Sequence, residues 1–376
     1  MNLKFVLIFG ALLFNVNLYS QTAIYGLNQA LKSPEEVTTL HISCPHHFRS
    51  QFKCDTIEDS IDKLVNLKHF SATESSFKSL PRTFTKLQKL ESFEISENNR
   101  FDLNELCKLT KLPNLSSLSI YFIQAQYLPS CISDIKTLEF VDISGNYNLD
   151  LSHSISILEK LPKLIYLKLH INKNQGVPSN LLNLSHLKYL DLSYSETNKI
   201  KKIIRKINPK ISGINLSDCG FLKLPKSIKS INKIKGIDLS DNWFNAIPNE
   251  LTSFQNLKYL SLRSNGYGVF KLNEVPSNLY SLEYLDLSDT KLDSLPKNIT
   301  KLESLRFLNI TNCDFKVFPH HLSELKSLRQ LNMSFKMYNE NDVEKLKKSL
   351  PNCTFSSEAI GRLENAFLLE TMNKWE

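Results

Sequence analysis

Residues able to do chemistry are few in this chain, and they are scattered. The densest group is Cys44, His46, His47 and Cys54, spaced C-x-H-H-x6-C. Thiolates and imidazoles are the ligands of structural zinc, but this is not one of the strong zinc spacings, and no metal site is expected. In an oxidising compartment Cys44 and Cys54 could instead form a disulfide, closing what reads as an end cap. The chain has 7 cysteines, so they cannot all pair with one another. Cys107 and Cys131 lie in connecting segments, Cys353 sits near the end in LPNCTF, and Cys219 and Cys313 recur at one position of a repeat. His153 and His170 are isolated, and the pair His320-His321 falls where equivalent segments carry Lys297-Asn298 or Asn249-Glu250. There is no phosphate-binding glycine loop, dinucleotide fingerprint, H-E-x-x-H or G-x-S-x-G. The reading is a chain that catalyses nothing and needs no cofactor. N-x-S/T sequons occur at Asn215, Asn309 and Asn332, but they arise from the wording of a repeat and fall on predicted strands.

That repeat must position everything else. Thirteen L-x-x-L-x-L-like blocks begin at Val37, Leu67, Leu90, Leu115, Leu138, Leu164, Leu187, Ile211, Ile234, Leu257, Leu282, Leu305 and Leu328. Most starts are 23 residues apart, some are 24 to 26, and the first interval is 30. A fixed period of this size marks a stacked architecture in which each turn contacts its neighbours and one elongated unit replaces several globular domains. In LEYLDLSD, apolar and polar residues alternate as in a short half-buried strand, with Leu282, Leu285 and Leu287 inward. After Leu292, Leu295 and Pro296 the chain returns through KNITKLESL, where Ile299, Leu302 and Leu305 share one helical face. The residue eight past each block start is Asn at Asn98, Asn146, Asn172, Asn242 and Asn265, Cys at Cys219 and Cys313, Thr at Thr290 and Ser at Ser195. An Asn amide both donates and accepts, so this column is expected to satisfy buried backbone at a tight bend.

The pattern L-x-x-L-x-L-x-x-N/C/T-x-L-x-x-L-P-x-x-I/L-x-x-L, as in LEYLDLSDTKLDSLPKNITKL and IKGIDLSDNWFNAIPNELTSF, resembles the leucine-rich repeat family over roughly residues 37 to 353. The resemblance implies an α/β leucine-rich repeat solenoid: a curved horseshoe with a parallel concave sheet and an irregular or short-helical convex side. It departs from the pattern at Ile123 and Lys336, in the Asn position, and at KIKKIIRKINPKIS (199 to 212), where the L-P turn is missing. The expected organisation is a signal peptide over 1–20, an N-terminal cap and first repeat over 21–66, repeats over 67–335, and a C-terminal cap and tail over 336–376. In the tail, VEKLKKSL is a helical pattern and CTF a last short strand.

The N-terminus, MNLKFVLIFGALLFNVNLYSQ, has one Lys and then an apolar run too short to span a membrane, which are the proportions of a secretory signal cleaved near Ser20. The wording of this signal resembles those of Bacteroidetes-type bacteria, which places the protein in the periplasm or outside the cell. The formal charge of +8 becomes +7 without Lys4, a mild surplus that does not argue for nucleic acid. Much of the surplus sits in the stretch from Lys199 to Lys210, read as a solvated convex face.

Function is therefore sought on the side chains that alternate with the leucines. The third position of the blocks reads Phe140, Tyr166, Tyr189, Gly213, Gly236, Tyr259, Tyr284 and Phe307. The fifth includes Asp142, Asp191, Asp238 and Asp286, and the seventh, mostly Ser, has Arg263. Aromatic rings beside carboxylates make recognition surfaces, although ladder-like stacking would explain the rings without a ligand. Glycines at 213 and 236 leave a gap between Tyr189 and Tyr259. The expectation is a concave face that binds a protein or peptide, of basic character given the carboxylates; the alternative is a glycan or cell-wall binder whose rings stack on sugars. Oligomeric state is left open.

Overall fold

The computed structural model describes residues 23–43, 56–170 and 178–357, apart from 206, 209, 232, 267 and 269. The chain divides into two compact units, 1–190 and 191–376, and the division falls inside a strand rather than in a linker. Cys44, Cys54, Asn172 and the expected signal segment lie outside the described residues.

In the first unit, β1 (Ala23–Tyr25), β2 (Thr39–Ser43), β3 (His69–Thr73), β4 (Ser92–Ser96), β5 (Ser117–Tyr121), β6 (Phe140–Asp142) and β7 (Tyr166–Lys168) pair in chain order, every pair parallel. β8 (Tyr189–Asp191) straddles the division. In the second unit, β9 (Gly213–Asn215), β10 (Gly236–Asp238), β11 (Tyr259–Ser261), β12 (Tyr284–Asp286), β13 (Phe307–Ile310), β14 (Gln330–Met333) and β15 (Thr354–Ser356) do the same. β1 and β15, at the two ends of the strand order, have no leucine block of their own.

The leucine period sets the register. Leu260, Leu285, Leu308 and Leu331 stand opposite one another across four strands and are buried. Each such Leu contributes about 1.5–3 kcal/mol of hydrophobic stabilisation, which chain entropy largely offsets, and none of it exists without the neighbouring turn. The return segments are 3-10 turns more often than α-helices. Lys297–Lys301 is one, with Ile299, Leu302 and Leu305 all buried. Their spacing of three matches the three-residue turn, which places them one above another. α-Helices appear where a return is longer or departs from the pattern: Leu151–Leu158, Thr197–Ile204 and the terminal Glu340–Ser349. Thr197–Ile204 replaces the missing L-P turn, with Ile200, Ile203 and Ile204 buried and Lys201 and Lys202 exposed.

The bends answer the backbone question raised by the Asn column. Asn242 donates through Nδ2 to the carbonyls of Leu216, Leu239 and Ser240, at 2.9, 3.0 and 3.0 Å, and accepts at Oδ1 from the amides of Cys219 and Phe221. Asn146 and Asn265 repeat the arrangement. Where Cys or Thr stands in, part of the pattern remains: Cys313 Sγ reaches the Leu287 carbonyl at 3.4 Å, and Thr290 Oγ1 donates to the same oxygen at 2.6 Å. Burial pushes the Cys313 thiol up to about 12, which makes it a poor nucleophile. One residue earlier, a second column has left-handed backbone: Glu74, Glu97, Phe122, Gly145, Tyr194, Asp218, Asp241, Ser264, Asp289 and Asn312. The sharp turn from strand to return segment is made there.

Cys107 and Cys131 form a disulfide, joining the 3-10 segments Leu103–Lys111 and Ser130–Asp134 of successive repeats with a Cα–Cα distance of 5.5 Å. The local sequence places both in connecting segments and does not by itself pair them. The signal was present, since they are 24 residues apart, which is one repeat. Positions one period apart stack directly on each other.

Candidate interaction face

Residues of the third and fifth positions stand on the strand face opposite the leucines, in two columns. In the first unit Phe140, Tyr166 and Tyr189 stack, with ring centroids 4.8 and 4.3 Å apart. In the second unit the column opens on Gly213 and Gly236 and continues with Tyr259, Tyr284 and Phe307, stacked at 4.3 Å at each step. The register aligns them, Tyr259 opposite Tyr284 and Tyr284 opposite Phe307. The faces of the Tyr284 ring are thus both covered by neighbouring rings.

The fifth-position column of the second unit runs Asp191, Asn215, Asp238, Ser261, Asp286, Asn309 and Asn332. Most members act first on their own backbone. Oδ1 of Asp191, Asp238 and Asp286 accepts at 2.9 Å from the amide of the Ser two residues on, and Asn215 does the same for Ser217. These are Asx turns that finish each strand. The amides of Asn215 and Asn309 then donate across to Oδ2 of Asp191 and Asp286, at 3.3 and 3.1 Å. No Lys or Arg forms an ion pair with Asp191, Asp238 or Asp286 among the described residues; Arg263 pairs with Asp289 instead, at 2.9 Å. In the first unit Lys168 lies 5.9 Å from the centre of the Phe140 ring.

Both columns are buried. Tyr284 is 1 % and Asp286 6 % exposed, and Phe140, Asp142, Tyr166, Tyr189, Asp191, Asp238, Tyr259 and Phe307 are buried as well. Arg263 is half-buried. Desolvation pushes the carboxyl of Asp238 up to about 7, against the pull of two hydrogen bonds from Ser240, and raises Asp286 in the same way. In the first unit Glu94 is also raised to about 7 by burial, although Tyr121 donates to it at 3.2 Å. Alternation along the strands puts these residues on one face, and the expectation that they are open to a partner is corrected: packing within the columns buries them. The buried sequon residues Asn215, Asn309 and Asn332 lie in the same face, closed to a glycan.

A parallel strand per period, mostly 3-10 returns, and an Asn, Cys or Thr at most bends define a leucine-rich repeat solenoid. A family profile described as "Leucine-rich repeat region" matches residues 242–351, and the chain is a leucine-rich repeat protein. Solved structures of similar fold include a leucine-rich repeat protein of Leptospira interrogans, 21% identical over 89% of this chain and 100% of that one, with a TM-score of 0.52. An internalin of Listeria monocytogenes is 17% identical over 88% of this chain and 89% of that one, with a TM-score of 0.52. The receptor of a TLR13–ssRNA13 complex is 16% identical over 89% of this chain and 54% of that one, with a TM-score of 0.53. At such identities the likeness concerns the fold. No curated protein matches the chain in sequence.

Proposed function

We propose that this protein is a non-catalytic binding module that recognises a basic segment of another protein or peptide on the strand face opposite the leucines. The fold is that of an interaction module. The observation that carries the finer reading is the buried row Asp191, Asp238 and Asp286, whose hydrogen bonds come from Ser and Asn and not from a cation. The carboxylate of Asp238 is costly, since burial and the like charges of Asp191 and Asp286 oppose its ionisation, and a partner's Lys or Arg brought beside it would relieve that cost. Because these side chains are buried against their column neighbours in the free chain, association must rearrange them and is expected to be slower than rigid docking. The glycan alternative on this face is disfavoured, since the rings spend their faces on each other.

Asp238→Asn is the discriminating variant, because Asn215 already occupies the equivalent place in the preceding strand with the same backbone hydrogen bond. On an array of Lys/Arg-rich, neutral and Asp/Glu-rich peptides, wild type should favour the basic set. Asp238→Asn should weaken that binding about tenfold, in line with loss of one partly desolvated charge contact. Equal binding to the three sets would refute the reading.

The Cys107–Cys131 disulfide supports maturation in an oxidising compartment, as a periplasmic or secreted location requires. Among the described residues, no helix is long and apolar enough to cross a membrane.

A further inference from the structure

A second candidate binding place lies away from that face, at the bends that end β3 to β6 in the first unit. A cleft of about 610 Å³ opens there. One wall is aromatic: Phe122 is half-exposed, and Tyr147 is 40% exposed. Phe122 holds its ring directly over Gly145, where a Cβ would come within 2.7 Å of ring carbons, so the glycine is what lets the ring lie there. Phe122 itself has a φ of 52°, a conformation that the equivalent bends give to Glu, Asp, Ser, Asn or Gly, with Tyr194 the other aromatic exception. Keeping a bulky residue in that region costs about 1–2 kcal/mol, and here the strain presents a ring at the cleft.

The polar wall has the opposite character. Asn99 and Gln124 line it with exposed amides, and Glu97 and Arg100 add one charge of each sign. None of these four side chains donates to or accepts from another side chain or the backbone, and neither charge is ion-paired, among the described residues. Unspent amide donors and acceptors, a balanced charge pair and a fixed ring edge suit a ligand that carries many hydroxyls and no net charge. Its hydroxyls would bond to Asn99, Gln124, Glu97 and Arg100, and an apolar C–H face would rest on Tyr147. A volume in the range of small-molecule sites admits a short chain of rings.

From this arrangement we infer that the cleft formed by Glu97, Asn99, Arg100, Phe122, Gln124 and Tyr147 is a binding site for a neutral oligosaccharide. It is independent of the peptide-binding face and uses none of that face's residues.

The test is saturation-transfer NMR on the full chain with a panel of neutral di- to tetrasaccharides built from glucose, galactose, mannose and N-acetylglucosamine. Transfer to ring C–H protons of at least one member, with millimolar or tighter affinity, is expected. Tyr147→Ala and Gln124→Ala, both at exposed positions, should each reduce that affinity at least fivefold, while Asp238→Asn leaves it unchanged. No transfer from any member of the panel would overturn the assignment. So would equal affinity in wild type and Tyr147→Ala, which would place the sugar elsewhere. Loss in Asp238→Asn with retention in Tyr147→Ala would likewise overturn it.

Discussion

Asn309 donates its side-chain amide to Oδ2 of Asp286 at 3.1 Å, from one strand to the next, while Oδ1 of Asp286 holds the amide of Ser288. Asp238 has the same Ser partner in Ser240 but faces Ser261 rather than an Asn across the next strand. Burial raises both carboxyls, that of Asp238 to about 7.

A carboxyl raised in the folded state binds its proton more tightly than in the unfolded chain. Its contribution to stability is therefore fully present below the unfolded value of about 4 and is lost as pH rises through about 7. Glu94 and Asp238 both act in this sense. The melting temperature should rise as pH falls from 8 to 5, with each group worth on the order of a few kcal/mol. Asp238→Asn should flatten the profile, and a melting series in constant ionic strength reads this. A melting temperature that falls between pH 8 and 5 would contradict the account.

Asn242→Ala should cost about 2–4 kcal/mol, because the carbonyls of Leu216, Leu239 and Ser240 and the amides of Cys219 and Phe221 are left buried together. Asn242→Thr should cost roughly half as much, since the chain already uses Thr290 at this position. Urea denaturation of both variants gives the comparison.

Breaking Cys107–Cys131 by a double Cys→Ser change should destabilise the protein by about 3 kcal/mol, the chain-entropy value for a loop of this length. Wild type measured under reducing conditions should match the variant. A difference between them would mean that another disulfide contributes.

Tyr284→Ser should lose about 3–5 kcal/mol, as for removal of a large buried ring, with a further contribution from two stacked partners. Substitutions in this ladder therefore report stability before they report binding. Near-UV circular dichroism should lose the signal of the coupled rings, and a melting curve equal to wild type would show that the ladder is not packed as described.

The repeat, the inward leucines and the bend asparagines were legible because each depends on spacing along the chain. Leu285 must point inward two residues from Leu287, and Asn242 must reach the backbone next to its own bend. The terminal helix Glu340–Ser349 and the strand Thr354–Ser356 were legible for the same reason. The ring and carboxylate columns were assigned to the correct face, since alternation in a strand decides that.

What alternation could not decide was whether that face is open. Exposure depends on what three-dimensional packing brings against a side chain, and Tyr284 and Asp286 proved buried. The pairing of Cys107 with Cys131 depends on two segments one repeat apart coming within thiol reach. The cleft beside Phe122 and Tyr147 depends on four successive bends and on Gly145 leaving room for a ring. Local periodicity was sufficient to specify the stack; contacts between its turns, which no single turn contains, decided which side chains are buried and which stay exposed.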